Sequence, residues 1–291
     1  MKTKQRIWKC LSFLVIAGAL FLTGCNKEKE TETSSEKLTI AVSIVPQKTF
    51  VEAVCGDLAE VVTLIPPGSS PENYEPSPAQ MEKFYDSALY FTIGVPTEEA
   101  NILPNAGEVN VVSLQEEVAK VYPDRTFESG ERDPHIWLSP KRVKTMVEVI
   151  AREMSNLDSA NKETYEKNAK EYMDQLDALD QDITKALENV QNKKFIVYHP
   201  AFGYLAEDYG LTMYALEEEG KEATPEHLQE VIDMAKEENI KVIFYQEEID
   251  SSQSESFAEE LGGKTIQLAP LAADYIENLK KMADTMAEAM E

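Results

Sequence analysis

Tyr165, Ala169, Tyr172, Leu176, Leu179, Ile183, Leu187 and Val190 follow one another in steps of three and four, with charged and amide residues between them. That spacing lays the apolar side chains along one face of a helix. No glycine or proline interrupts the stretch from Ser159 to Asn192, which at ~1.5 Å per residue forms a rod of roughly 50 Å. The stripe lasts under four heptads and a second helix, Pro140 to Leu157, precedes it. A strut packed across a larger body therefore fits better than a coiled-coil seam.

On both sides of this strut the pattern changes to short β-rich runs. Before it come Leu38–Val42, Val61–Ile65, Leu89–Ile93 and Val109–Val112, with helical segments around Gln47–Val54 and Ser77–Tyr85. After it come Phe195–Tyr198, Thr212–Leu216, Lys241–Tyr245 and Lys264–Leu268, each followed by a helix, one of them opened by Thr224 as cap and Pro225 at its first position. Alternation of strand and helix predicts parallel sheets with helices on both faces. The fold class is α/β: two doubly wound parallel-sheet lobes joined by one long helix.

The first residues belong to none of this. Lys2, Lys4, Arg6 and Lys9 precede an apolar run from Leu11 to Leu22 that is too short for a mature membrane span. It ends in Leu22-Thr23-Gly24-Cys25, the arrangement of a bacterial lipobox, which makes Cys25 the expected site of lipidation. Asn26 to Lys37 carry charges and hydroxyls without large apolar groups, so they read as a tether. Two or more acyl chains anchor stably, placing the folded part on the extracytoplasmic face of the cell membrane. The predicted organisation is a signal segment over 1–24, a lipidated terminus and tether over 25–37, a first lobe over 38–140, connecting helices over 141–192 and a second lobe over 193–291.

Charge and cysteine content narrow the function. Removing the four basic residues of the signal takes the formal charge from −25 to −29, which makes nucleic acid a poor partner. Cys10 leaves with the signal and Cys25 takes the lipid, so Cys55 stands alone, and neither a disulfide framework nor a cysteine-rich zinc site is available. Cys55 is expected to be a small buried residue at a helix end.

Of the three histidines, two are flanked by proline in aromatic-rich segments: His135 in Asp133-Pro134-His135-Ile136-Trp137, and His199 in Tyr198-His199-Pro200-Ala201-Phe202. Proline restricts the backbone on either side and lowers the entropy lost when an imidazole is held for a ligand. Ligands of doubly wound sheets sit beyond the carboxyl ends of strands. His199 follows one such strand, Gln246, Glu247 and Glu248 follow another, and the carboxylate-bearing loop from Pro66 to Pro76 follows a third. Two imidazoles with one or two carboxylates suit a transition metal, with zinc ahead of magnesium or calcium. Trp137 would shield the cleft. His227, in the first turn of the helix opened by Thr224, reads as a surface residue.

The loop from Gly68 to Pro78, Asp133 to Pro140 and Tyr198 to Leu211 resemble, in order and spacing, the metal-binding segments of the solute-binding lipoproteins of zinc and manganese ABC importers, the ZnuA/TroA-like family. The resemblance runs from Leu38 to the end. It implies two lobes joined by a long helix, a metal held between them, and delivery to the membrane permease of an ABC importer; the chain itself is expected to work as a monomer and not as an enzyme. Carried over by position, His135 stands at the second and His199 at the third ligand place, the latter favouring zinc. Glu72, in Pro71-Glu72-Asn73-Tyr74-Glu75-Pro76, replaces the first histidine, and Ala269, in Leu268-Ala269-Pro270-Leu271, replaces the final aspartate. Gln246, with Glu248 next, is the expected substitute for that lost ligand. The histidine-rich loop of many zinc members is missing, since Val121 to Arg132 holds no histidine. A manganese or iron receptor, an adhesin-like lipoprotein with an altered site, and a zinc hydrolase are the alternatives. Against the last, no His-Glu-x-x-His helix is present.

Overall fold

The computed structural model describes residues 37–218, 221–248 and 252–290. The signal segment, Cys25 and the tether up to Glu36 lie outside the described residues. Among those described, no helix is long and apolar enough to cross a membrane.

In chain order the elements are β1 (Leu38–Val42), α1 (Val45–Cys55), β2 (Ala59–Thr63), α2 (Pro78–Tyr85), β3 (Leu89–Thr92), β4 (Val111–Ser113), α3 (Leu114–Ala119), α4 (Pro140–Leu157), α5 (Lys162–Leu187), β5 (Lys194–Val197), α6 (Gly203–Asp208), β6 (Thr212–Ala215), β7 (Glu217–Glu218), β8 (Lys221–Glu222), α7 (Pro225–Glu237), β9 (Val242–Gln246), α8 (Ser252–Glu260), β10 (Lys264–Leu268) and α9 (Tyr275–Ala289). The first lobe has a sheet ordered β2-β1-β3-β4 and the second a sheet ordered β10-β9-β5-β6, all neighbours parallel, while β7 and β8 form a separate antiparallel pair. Both sheets wind outward in two directions from an inner pair of strands. Each therefore has one switch point, between β1 and β3 in the first lobe and between β5 and β9 in the second.

Helix starts follow local chemistry. Ser77 and Gln80 form a capping box before α2, with Gln80 N donating to Ser77 Oγ and Gln80 Oε1 accepting from Ser77 N at 2.7 Å. Ser139 caps α4 and Thr224 caps α7, in each case with proline at the first helical position. The strut is shorter than its apolar stripe suggests: α5 ends at Leu187, and Ser159–Asn161 form a 3₁₀ turn before it. Between β3 and β4 the chain makes a π-helical turn, Glu98–Ile102, and a 3₁₀ turn instead of an α-helix.

All of the stripe residues of α5 are buried. They pack on α1 of the first lobe, on α4 and on α9 of the second, so one apolar cluster runs from Ile40 through the strut to Met290. Two smaller clusters cover the outer faces of the sheets. The lobes thus share a core rather than each closing its own. Burying a Leu or Ile side chain contributes ~1.5–3 kcal/mol, and with the whole stripe shared, the lobes are held as one body.

Candidate metal centre

Both histidines owe their placement to the chain on either side. Asp133 Oδ1 accepts from the backbone N of His135 at 3.0 Å and from its ring Nδ1 at 2.8 Å, a local turn that fixes backbone and imidazole together. Arg125 Nη1 reaches Asp133 Oδ2 at 2.7 Å, so the fully buried carboxylate has a partner on each oxygen. Burial raises the Asp133 carboxyl, but the bonds to His135 and the Arg125 charge outweigh it and leave it below the usual carboxylate range. Trp137 packs beside His135 with ring centroids 5.1 Å apart. Its indole Nε1 donates to Pro270 O at 3.0 Å, and Tyr275 Oη donates to its carbonyl at 2.7 Å, fastening this segment to the second lobe.

His199 stands two residues beyond β5, and its Nδ1 faces Glu217 Oε2 at 3.1 Å. Glu217 itself opens β7, two residues beyond β6. The two Nε2 atoms, one from each lobe, then meet at 3.2 Å. Glu72 comes to them on the loop after β2, with Oε1 3.6 Å from His199 Nε2. Both imidazoles are 4% exposed, whereas Glu72 is half-buried. Among the described residues, Glu72, His135 and His199 are the set of His, Cys, Asp or Glu side chains whose ligand atoms all lie within 4.8 Å of one another.

This spacing fits a metal. A tetrahedral zinc with nitrogen ligands at ~2.05 Å holds them roughly 3.3 Å apart, close to the 3.2 Å observed. The neighbours favour one tautomer: the carboxylate beside each ring accepts a hydrogen bond from Nδ1–H, and in that tautomer both Nε2 lone pairs face inward.

Gln246 ends β9 at the same sheet edge. Val197 pairs with Phe244, so His199 and Gln246, each two residues further on, stand at the second lobe's switch point. Gln246 is 7% exposed and its Nε2 has no hydrogen-bond partner. Glu248 is not part of the converging trio. Its Oε2 is buried without a partner, and burial raises its carboxyl above the ordinary range. Ala269 offers only its carbonyl, which accepts from Asn278 Nδ2 at 2.7 Å. Of the two remaining special residues, one departs from its expectation and one meets it. His227 is half-buried instead of exposed, because its Nε2 reaches the carbonyl of Ala215 at 2.9 Å and ties α7 to β6. Cys55 is buried as expected, and desolvation pushes its thiol up to about 12.

Sequence reasoning passed over Glu217, although the rule that picked Gln246, a polar residue just beyond a strand's carboxyl end, applies to it equally. It also passed over the part played by Asp133. Nothing in a linear pattern signals that Arg125 and Asp133 become a pair.

The model of a family described as zinc-uptake complex component A, periplasmic, matches residues 40–289. The zinc-binding lipoprotein AdcA of Streptococcus pneumoniae TIGR4 is 32% identical, covering 90% of this chain and 55% of its own; the chain spans about half the length of that relative. The high-affinity zinc uptake system protein ZnuA of Bacillus subtilis is 28% identical over 96% of both chains. Among solved structures, a crystal structure of ZnuA superposes with a TM-score of 0.82 at 35% identity, covering 88% of this chain and all of that one. The laminin-binding protein Lmb of Streptococcus agalactiae, described as a bifunctional protein with adhesin and metal-transporting activity, superposes with a TM-score of 0.78 at 26% identity over 88% of this chain.

Proposed function

Because the chain belongs to the zinc-uptake complex component A family, we propose that it is the extracytoplasmic receptor of an ABC importer, binding zinc between its lobes and passing it to the membrane permease. The observation that carries this reading is the convergence of His135, His199 and Glu72 on one point, with the histidines drawn from opposite lobes. Gln246 is proposed to complete the shell through its side-chain oxygen, taking the place of the aspartate that Ala269 cannot supply.

The chemistry of capture follows from burial. Glu72 stands partly open to solvent and meets the hydrated ion first, as a charged oxygen ligand. The two imidazoles then displace water from it in a setting that Trp137 keeps dry. Neutral nitrogen donors and a single carboxylate favour zinc over harder ions. Asp133 and Glu217 keep the inner nitrogens free to bind and supply negative charge behind each ring. The family is one of transport components, so a hydrolase is not carried forward.

Membrane attachment through Cys25 is supported by the lipoprotein name of the AdcA relative and by the lipobox sequence. Native mass spectrometry of the metal-stripped chain offered equimolar zinc, manganese and iron(II) tests the assignment: a single zinc adduct is expected, and a manganese adduct in its place contradicts it.

A further inference from the structure

The switch point of a doubly wound sheet is the crevice where such folds bind their ligands. In the first lobe that crevice, between β1 and β3, is occupied by a side chain of the protein itself. Glu98 is 1% exposed. Its Oε1 accepts from the Ser43 hydroxyl and from Ile93 N at 2.9 Å, and its Oε2 accepts from Gly94 N at 2.7 Å. Ser43 is the residue after β1, and Ile93 and Gly94 come directly after β3. Gly94 has φ of +91°, a conformation glycine adopts without a steric penalty. Tyr90 Oη lies 2.7 Å from Ser43 Oγ, and the neutral Gln47 of α1 accepts from the backbone of Ser43 and Ile44. Tyr90 and Glu99 are the titratable neighbours that act on this carboxylate or feel it.

The turn that carries Glu98 also grips the loop that carries Glu72. Thr97 N donates to Pro71 O at 3.1 Å, Tyr74 N donates to Thr97 Oγ1 at 3.0 Å, and Asn101 Nδ2 donates to Tyr74 O at 2.8 Å. Glu72 stands between the gripped residues. Burying a carboxylate costs more than burying an apolar residue of similar size, and what this one supplies is direction: three donors from two strand ends aim one turn.

We propose that Glu98 is a positioning residue for Glu72, holding the π-helical turn on the strand ends so that the loop presents its carboxylate to the metal. This rests on the reading of Glu72 as a zinc ligand. A glutamine at 98 has one acceptor oxygen in place of two and turns an amide N–H toward Ile93 N or Gly94 N, so at least one backbone bond is lost and the turn shifts. Thr97→Val cuts the staple to Tyr74 without touching Glu98.

The test is a double-mutant cycle read by zinc titration of the metal-stripped chain at about pH 8, where the Glu98 carboxyl is ionised. Glu98→Gln is expected to weaken zinc binding by about tenfold, the size of one lost hydrogen bond to a charged group, and Thr97→Val to weaken it in the same direction. In a Glu72→Ala background both losses should fall below about twofold, since little is left to position. A purely structural role would weaken binding equally in both backgrounds, and that result overturns the proposal. So does wild-type affinity in Glu98→Gln, or, should that variant fail to fold, in Thr97→Val. Failure of the receptor reading looks different: the unsubstituted chain takes up no zinc.

Discussion

His135 and His199 present their Nε2 atoms to each other at 3.2 Å while a carboxylate holds the far nitrogen of each ring, Asp133 at 2.8 Å and Glu217 at 3.1 Å. With an Nδ1–H donating to each of those carboxylates, two Nε2 lone pairs and the half-buried Glu72 carboxylate face one small space. Such an arrangement is electrostatically unfavourable until a cation enters it. The strength of the site therefore depends on the residues behind the rings as well as on the rings.

Replacing either backing carboxylate tests this. Asp133→Asn can turn an amide N–H toward Nδ1, moving the ring proton to Nε2, where it blocks the metal. A loss of zinc affinity of about 10–100-fold is expected. Glu217→Gln should act in the same direction on His199. Competition titration against a chelator of known affinity measures both, and unchanged affinity in both variants rules out the orienting role.

Gly203 opens α6 directly under the Arg125 guanidinium: a Cβ there would lie 2.4 Å from Arg125 Cζ. In Gly203→Ala the guanidinium has to swing away, leaving Asp133 buried without its cation. Arg125 is 29% exposed, which discounts the cost of breaking a buried pair, and at the first position of a short helix alanine recovers only part of the ~1 kcal/mol of helix propensity of an interior site. A net loss of about 1–2 kcal/mol in urea unfolding is expected, with weaker zinc binding because Asp133 orients His135.

Glu98 links folding to pH. Burial lifts its carboxyl from an ordinary 4.5 to about 7, against the lowering effect of its hydrogen bonds to Ser43, Ile93 and Gly94. The folded chain thus holds a proton that the unfolded chain releases, so this contribution is full below about pH 4.5 and is lost as pH rises to 7 and just above. It amounts to roughly 3 kcal/mol at most. Relative to Glu98→Gln, the metal-free wild type should lose stability between pH 4.5 and 7.5, and parallel stability curves for the two would contradict this.

Gln246 separates binding from folding. Its Nε2 is buried without a partner, so Gln246→Leu removes an unsatisfied donor and should leave the metal-free protein as stable or up to about 1–2 kcal/mol more stable. If the side-chain oxygen completes the metal shell, the same change weakens zinc binding. Thermal melts with and without zinc show both effects, the zinc-induced shift shrinking as the apo melting point holds or rises.

What was legible in the sequence is what depends on local periodicity. The alternating strands, the three-and-four stripe of α5 and the cap at Thr224 all follow from neighbours in the chain, and so did the proline-flanked segments of His135 and His199. Groups that meet only after folding were hidden. Glu217 reaches His199 from the next strand end, and Asp133 meets Arg125 eight residues away. Glu98 looks like an ordinary surface acid in Pro96-Thr97-Glu98-Glu99 until the strand ends close around it. His227 misled in the opposite sense, because a polar residue in a first turn gives no sign that its ring will reach a carbonyl of the neighbouring strand.

Isothermal titration of zinc into the metal-stripped chain tests the central claim most directly. One zinc per chain is expected, with His135→Ala and His199→Ala each weakening binding by at least about 100-fold, since a three-donor core loses one of its two nitrogens. No heat of binding in the wild type, or undiminished binding in the double alanine variant, would contradict a zinc site built on these two histidines.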